Sequence, residues 1–320
     1  EDNLTNDATA TFTITNVDTD VTSVEVLNGN ISLGFAEQIE GVWTFTASPS
    51  DSVGIAARAL DTADLNEGDN TLTVKVTDAA GNTSTSGELT VTLDTNLAQP
   101  VIDLSSGSDT GDSNEDNLTN DATATFTITN VDTDVTSVEV LNGNISLGFA
   151  EQIEGVWTFT ASPSDSVGIA ARALDTADLN EGDNTLTVKV TDAAGNTSTS
   201  GELTVTLDTN LAQPVIDLSS GSDTGDSNED NLTNDATATF TITNVDADVT
   251  SVEVLNGNVS LGFAEQIEGV WTFTASRSDS VGVDLKSLST AGLNEGDNTL
   301  TVKVTDAAGN TSTSGELTVT

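Results

Sequence analysis

Ala124-Thr-Phe-Thr-Ile-Thr129 alternates apolar residues with threonines, so its apolar side chains face one way and its hydroxyl groups the other. A period of two is typical of a β-strand with one buried face. Six further stretches show comparable apolar or alternating patterns, at 101–104, 138–140, 145–147, 156–160, 186–191 and 203–207. About seven short strands rich in threonine and valine predict an all-β fold, an Ig-like β-sandwich with Greek-key connections.

Asn142-Gly143 separates two of these predicted strands, the first containing Val138 and Val140 and the second Ile145. Both residues of the pair readily adopt positive φ, which a two-residue hairpin turn requires. We therefore expect Asn142 and Gly143 to form the turn of a β-hairpin.

The whole pattern is repeated along the chain, since the sequence that begins at Glu1 recurs at Glu115 and Glu229, a period of 114 residues. A period of this length corresponds to a complete domain rather than to the short unit of a solenoid. We expect three Ig-like domains arranged end to end as a rod: repeat 1 (1–98, without its first strand), repeat 2 (99–212, complete) and repeat 3 (213–320).

The chain is strongly acidic, with 7 Lys and Arg against 52 Asp and Glu and a net charge of −45. Such a surface repels nucleic acid and anionic lipid, so neither is an expected partner. Nor does any apolar run suggest insertion into a membrane. The sequence contains no His, Cys or Tyr, which removes the usual catalytic bases and thiol nucleophiles, and we expect no enzyme. Without disulfides, a bound metal is the alternative means of stabilisation.

Carboxylates cluster where one predicted sandwich ends and the next begins. The loops 130–134 and 192–196 are expected to share the amino-terminal pole of repeat 2 and to face the end of repeat 1. Calcium takes six to eight oxygen ligands, which Asp and Asn side chains and loop carbonyls supply. The candidate ligands of Ca²⁺ at the two junctions are Asp94, Asp132, Asp134, Asp192 and Asn196, and then Asp208, Asp246, Asp248, Asp306 and Asn310.

A second candidate calcium site is the acidic loop from Ser108 to Asp121, which we expect beside the turn 180–183 at the opposite pole. Glycine at position 111 would let the backbone fold tightly around an ion. The spacing is not that of an EF-hand, and the alternative is that these residues are ordinary turn formers. The candidate ligands are Asp109, Asp112, Asp116, Asp121 and Asp183 in repeat 2, and Asp223, Asp226, Asp230, Asp235 and Asp297 in repeat 3.

The segment 164–179 interrupts the strand pattern. Ile169-Ala-Ala-Arg-Ala-Leu174 is compatible with one or two helical turns, and the third copy keeps this spacing at 283–288. We interpret the segment as a surface crossover between the two sheets, with a small ligand-binding insert as the alternative.

Two motifs together resemble a known family. They are the loop Ser108-Asp-Thr-Gly-Asp-Ser-Asn-Glu-Asp-Asn-Leu-Thr-Asn-Asp121 and the stretch Asn184-Thr-Leu-Thr-Val-Lys-Val-Thr-Asp-Ala-Ala-Gly-Asn-Thr-Ser198. All three copies resemble the bacterial Ig-like repeats in the extender regions of giant type I-secreted RTX adhesins of biofilms and of ice-binding bacteria.

The resemblance implies a monomeric, calcium-stiffened spacer on the bacterial cell surface, which projects a distal binding domain and contacts chiefly the neighbouring repeats of its own chain. Two alternatives stay open. The repeats themselves could bind a glycan or a protein through their pole loops, or the chain could be an acidic spacer that binds no metal.

Overall fold

The computed structural model describes residues 2–47, 65–162, 178–275 and 292–320. These parts of the chain contain strands and no helix, so the expected all-β class is confirmed. The interpretation of 164–179 and of its copy at 283–288 falls almost entirely on residues outside the described ranges. Within those ranges, no helix is long and apolar enough to cross a bilayer.

The strands are numbered in chain order. Repeat 1 contains Leu4–Thr5 (β1), Thr11–Ile14 (β2), Val21–Asn28 (β3), Ile31–Phe35 (β4), Glu37–Ile39 (β5), Val42–Thr46 (β6), Gly68–Asp78 (β7), Thr83–Thr85 (β8) and Leu89–Leu93 (β9). Repeat 2 contains Val101–Leu104 (β10), Leu118–Thr119 (β11), Thr125–Thr129 (β12), Val135–Asn142 (β13), Ile145–Phe149 (β14), Glu151–Ile153 (β15), Val156–Thr160 (β16), Gly182–Asp192 (β17), Thr197–Thr199 (β18) and Leu203–Leu207 (β19). Repeat 3 contains Val215–Leu218 (β20), Thr239–Thr243 (β21), Val249–Asn256 (β22), Val259–Phe263 (β23), Glu265–Ile267 (β24), Val270–Thr274 (β25), Asn298–Asp306 (β26), Thr311–Thr313 (β27) and Leu317–Val319 (β28).

Repeat 2 shows both sheets of the sandwich. One sheet has the order β10-β12-β16-β15, and the other has the order β11-β19-β17-β13-β14 with β18 beside β17. The alternating apolar residues of both sheets meet in one core, where Phe126 and Leu186 are fully buried. Phe126 packs against Phe159 of the neighbouring strand with ring centroids 6.2 Å apart. The prediction of an Ig-like sandwich from alternation is therefore confirmed.

Three strands of repeat 2 add to the seven that the sequence indicated. They are β11, β15 and β18, which contain only two or three residues each. The most consequential is β11, which runs parallel to β19 with Leu118 opposite Thr206. This pairing fastens the end of the acidic loop to the last strand of the same repeat.

The β13–β14 hairpin is present, but its turn is formed by other residues than expected. The two-residue loop is Gly143–Asn144, and Asn142 is the last residue of β13. Gly143 has φ of 58°, whereas Asn142 is not among the residues with positive φ. The side chain of Asn142 is instead held inside the sheet, where its amide donates to Oδ1 of Asn184 at 2.8 Å. The hairpin predicted from the Asn-Gly pair is therefore present, with its turn one residue further along the chain.

Candidate metal centres at the repeat junctions

Strands β9 and β19 each lead into a linker, and the repeat that ends there forms hydrogen bonds to the first half of that linker. The carboxylate of Glu67 accepts hydrogen bonds from the backbone N–H of Thr95 (2.9 Å), the hydroxyl of Thr95 (2.8 Å) and the side-chain amide of Asn96 (2.7 Å). These bonds, first that from the Thr95 backbone, lower the pKa of Glu67 below its ordinary value. Glu181 holds Thr209 and Asn210 in the same way at the next junction.

The following repeat holds the other half of the linker. The backbone N–H of Ala98 donates to Oδ2 of Asp132 at 2.7 Å, and the amide of Asn130 donates to the carbonyl of Gln99 at 2.7 Å. Leu97 packs against the core of repeat 2, and Pro100 is buried. The linker between repeats 1 and 2 is thus bonded to both of them.

Three carboxylates from two repeats meet at this junction. One oxygen from each of Asp94, Asp134 and Asp192 lies within 4.8 Å of the others. Asp94 follows β9 of repeat 1, Asp134 precedes β13 and Asp192 ends β17. Burial, followed by the negative charges of Asp192 and Asp134, raises the pKa of Asp94. We call these three residues the first junction triad.

Asn196 orients this triad. Its backbone N–H and its side-chain amide donate to the two oxygens of Asp192, both at 2.8 Å. The same side-chain amide also donates to the backbone carbonyl of Asp94 at 2.7 Å, across the boundary between the repeats. Of the five ligands predicted at this junction, the structure therefore brings three together, while Asn196 and Asp132 bond to the chain of the linker.

The second junction repeats the arrangement. Asp208, Asp248 and Asp306 form the second junction triad, again with oxygens within 4.8 Å of one another. Asn310 donates to the carbonyl of Asp208 at 2.8 Å, and Asp246 accepts from the N–H of Ala212 at 2.6 Å. Burial first, and then the charges of its two partners, raise the pKa of Asp208.

The amino-terminal pole of repeat 1 shows the same turn without a repeat packed against it. Asp78, the counterpart of Asp192, accepts from the backbone N–H and the side-chain amide of Asn82 at 2.8 and 2.7 Å. The hydrogen bonds from Asn82 lower the pKa of Asp78. Asp192 is 3% exposed, whereas Asp78 is only half-buried, so the contact between repeats completes the burial of this carboxylate.

The candidate ligands in and beside the acidic loop of repeat 2 are of two kinds. Asp121 accepts from the backbone and hydroxyl of Thr123 and from the hydroxyl of Ser108, and Asp183 accepts from the hydroxyl of Thr206. These two fit the alternative that they cap turns and strands. Asp109 is buried, with Asp116 beside it. Asp112 is exposed on the loop surface.

Repeat 3 distributes its carboxylates in the same way. Asp235 accepts from Thr237, and Asp297 accepts from the hydroxyl of Thr320. Asp223 is buried, and Asp230 accepts from the N–H of Leu232 at 3.2 Å. Asp226 is exposed.

Gly111 contacts the next repeat, a role that the sequence did not suggest. It has φ of 89°, and a Cβ atom at this position would overlap the backbone carbonyl of Ala307 in repeat 3. Next to it, the hydroxyl of Thr110 donates to the carbonyl of Ala308 at 2.7 Å. The acidic loop of repeat 2 therefore packs directly on the Asp-Ala-Ala-Gly-Asn turn of repeat 3.

Sequence reasoning also missed the two glutamates that hold the linkers. Glu67 and Glu181 lie in Asn-Glu-Gly-Asp stretches, which indicate only a turn. Their partners follow 28 and 29 residues later, and no local pattern connects positions so far apart.

The chemistry of the triads fits a hard divalent cation. Each supplies carboxylate oxygens only, and the sequence has no His or Cys to offer nitrogen or sulfur. Oxygen-only ligand sets suit calcium and magnesium, and ligands from separate loops of two repeats suit the larger, more tolerant coordination sphere of calcium.

Comparisons with known proteins agree with the tandem arrangement. The family described as bacterial Ig-like domain matches residues 1–95, 96–209 and 210–320. No curated protein matches the sequence.

Among solved structures, a bacterial ice-binding adhesin is 17% identical, with 98% of this chain and 90% of that chain covered and a TM-score of 0.34. A tetra-tandem repeat from the extending region of a large adhesion protein is 18% identical, with 97% and 70% covered and a TM-score of 0.24. Fibronectin(III)-like modules of Clostridium thermocellum CbhA are 13% identical, with 64% and 87% covered and a TM-score of 0.34. At such identities the likeness concerns the fold alone.

Proposed function

Because the chain belongs to the bacterial Ig-like domain family, we propose that it is a calcium-stabilised spacer of a bacterial surface adhesin. Its repeats separate a distal binding domain from the cell, and Ca²⁺ at the junction triads fixes each repeat to the next. The role is mechanical and extracellular, performed by a single chain, with no catalytic step.

The observation that carries this proposal is the pair of triads built from two repeats each. Asp94 comes from repeat 1, and its partners Asp134 and Asp192 come from repeat 2. Two like charges about 4 Å apart repel by about 4 kcal/mol at an effective dielectric constant of about 20. Three such charges in partly buried surroundings therefore oppose the contact between repeats until a cation neutralises them.

A cation bound there would restrict motion between the repeats, because its ligands belong to both. Calcium sites of extracellular modules typically have Kd values of about 10⁻⁴–10⁻³ M. Such sites fill where calcium is plentiful and stay largely free inside a cell. The chain would then be slack before secretion and stiff after it.

Small-angle scattering of the whole chain tests the proposal, with measurements in millimolar Ca²⁺, in Mg²⁺ and after chelation. We expect the largest maximum dimension and the narrowest distribution in Ca²⁺. The Asp208→Asn/Asp248→Asn double variant should show no difference at the second junction between Ca²⁺ and chelator, because it lacks two of the ligands through which the ion would act. An unchanged scattering profile and melting temperature on chelation would overturn the proposal and leave an acidic spacer without metal.

The contacts between repeats disfavour the reading in which the repeats bind a ligand through their pole loops. Where repeats 2 and 3 meet, the pole loops contact each other, through Thr110 and Gly111 on one side and Ala308 on the other. A glycan or protein ligand would have to displace these contacts.

A further inference from the structure

A carboxylate is buried inside the acidic loop of repeats 2 and 3, apart from the junction triads. Asp109 is 6% exposed and Asp223 is 7% exposed. Their Oδ2 atoms accept long hydrogen bonds from the N–H groups of Asn117 (3.3 Å) and Asn231 (3.2 Å). Their Oδ1 atoms are buried and have no hydrogen-bond partner among the described residues.

The surroundings of Asp109 add negative charge rather than neutralise it. Burial, followed by the neighbouring Asp116 and Asp103, raises the pKa of Asp109, and the carboxyl group of Asp116 is within hydrogen-bonding reach. Residues 101–121 include no Lys or Arg. A buried carboxylate without a counter-charge is costly, whereas a coordinated cation compensates it.

A second oxygen in the same turn is also without a partner. The backbone N–H of Asp109 donates to the carbonyl of Ser105 at 3.0 Å, which closes a turn between the two residues. The hydroxyl of Ser105 is buried and, within the described ranges, has no hydrogen-bond partner. Ser219 repeats this beside Asp223 in repeat 3.

We propose that each acidic loop holds a calcium ion of its own, with Asp109 and Asp116 as its carboxylate ligands and the turn from Ser105 to Asp109 supplying further oxygens. The counterparts in repeat 3 are Asp223 and Asp230. Each such site belongs to one repeat, so it exists independently of the junction triads.

The loop site would also prepare the surface on which the next repeat sits. Thr110 follows Asp109 directly and donates to Ala308 of repeat 3. In repeat 3, the equivalent Thr224 donates instead to Oδ1 of Asn234 at 3.0 Å. An ion that fixes Asp109 therefore fixes the backbone from which Thr110 and Gly111 reach the neighbour.

Calorimetric titration of the calcium-free full chain with Ca²⁺ tests this site. We expect Asp109→Asn and Asp223→Asn each to remove one bound ion, and the double variant to remove two. Asp208→Asn should separately remove the ion of the second junction triad. If Asp208→Asn has no effect, the proposed function fails, whereas a double loop variant that binds as many ions as the unaltered chain overturns the present inference.

The two loop variants also form a matched pair for the coupling between loop and junction. Asp109→Asn should weaken Ca²⁺ binding at the second junction triad, because its loop contacts Ala307 and Ala308 beside Asp306. Asp223→Asn should not, because Thr224 of its loop bonds Asn234 of the same loop instead. Equal affinity of that triad in both variants would overturn the coupling. Should Asp109→Asn lose the strand signal in circular dichroism, Asp116→Asn replaces it, since Asp116 is exposed and contributes no core packing.

Discussion

The side-chain amide of Asn196 donates a hydrogen bond to the backbone carbonyl of Asp94, 102 residues earlier in the chain. The same amide bonds Oδ2 of Asp192, so one side chain fixes the end of repeat 1 relative to the turn of repeat 2. Asn310 and Asp208 reproduce this relationship at the second junction. The geometry of the triads is therefore set by hydrogen bonds from these asparagines as well as by any ion.

Replacing one carboxylate of a triad should have opposite effects with and without calcium. In chelator, Asp208→Asn removes a partly buried charge that Asp248 and Asp306 repel. The contact between repeats 2 and 3 should become more stable, and the melting temperature of the chain should rise. In Ca²⁺, the same change removes a ligand, and affinity should fall by at least about tenfold. A shift of about 1 kcal/mol corresponds to about 4–8 °C for a domain of this size. Scanning calorimetry in both buffers measures the two effects.

Asp78→Asn is the matched control, because Asp78 has the same turn but belongs to no triad among the described residues. Its hydrogen bonds favour the charged form, so its replacement should lower stability by a similar amount in both buffers. A change in the same direction for Asp208→Asn in both buffers would contradict the assignment of a cation to the triad.

Gly111→Ala should separate repeats 2 and 3 without unfolding either of them. The added methyl group overlaps the carbonyl of Ala307, and the residue must also keep φ of 89°, which alanine disfavours. Small-angle scattering in Ca²⁺ should show a more flexible chain. Gly107→Ala, immediately before this loop, is the control, because no described atom lies within 4 Å of its added Cβ. Equal scattering profiles for the two variants would refute the packing role of Gly111.

The stability of the junctions should depend on pH in a calcium-free buffer. The pKa values of Asp94 and Asp208 are raised in the folded chain. The folded junction therefore binds protons more readily than the unfolded chain does. Its stability increases as the pH falls from neutrality towards about 4. The pKa of Glu67 is lowered, so its contribution is present above the ordinary carboxyl value and is lost at still lower pH. Thermal melts should therefore show a maximum near pH 4–5, a rough figure from ordinary carboxyl pKa values.

Repulsion between carboxylates throughout this acidic chain also weakens on acidification. The contribution of the junctions is therefore measured as the difference in stability change between a variant and the unaltered chain. The Asp94→Asn/Asp208→Asn variant should gain less stability between pH 7 and 5 than the unaltered chain. In saturating Ca²⁺ the dependence should reverse, since protons compete with the ion. Parallel curves of stability against pH for the two proteins would exclude the junction carboxylates as the source of the pH dependence.

Asn184→Ala should destabilise repeat 2 regardless of calcium. Oδ1 of Asn184 accepts from Asn142 and from the N–H of Asn180, and its amide donates to the carbonyls of Asn180 and Gly182. Each buried group left without a partner costs about 1–3 kcal/mol. Urea denaturation should show this loss. Asn144→Ala, at an exposed position of the adjacent hairpin, should have little effect; a comparable loss there would mean that the network around Asn184 is not responsible.

The fold could be predicted largely from local pattern. The alternation from Ala124 to Thr129 identifies a strand and its buried face, because the side-chain period of a strand is fixed by its backbone. The turn of the β13–β14 hairpin was misplaced by one residue, because Asn142 bonds to Asn184, which is 42 residues away. A prediction from the turn preferences of neighbouring residues takes no account of a partner so far along the chain.

The junctions were only partly predictable, for a related reason. Fold topology places the loops of Asp134 and Asp192 at one pole, which suffices to expect them near Asp94. It does not reveal which carboxylates already have hydrogen-bond partners, as Asp121 and Asp183 do. Nor does it show that Gly111 meets the next repeat, since that contact depends on how two finished surfaces pack.

The strands at which the chain enters and leaves repeat 2 determine how the domain would carry tension. Force transmitted through the linkers would pull on β10 at its start and on β19 at its end, along the strand axes. The four residue pairs from Val101↔Thr129 to Leu104↔Phe126 would be loaded in shear, as would the parallel pairing of Leu118 with Thr206. Hydrogen bonds in shear must yield together instead of one at a time, so repeat 2 would resist extension along this direction better than a domain whose strand pairs open one at a time.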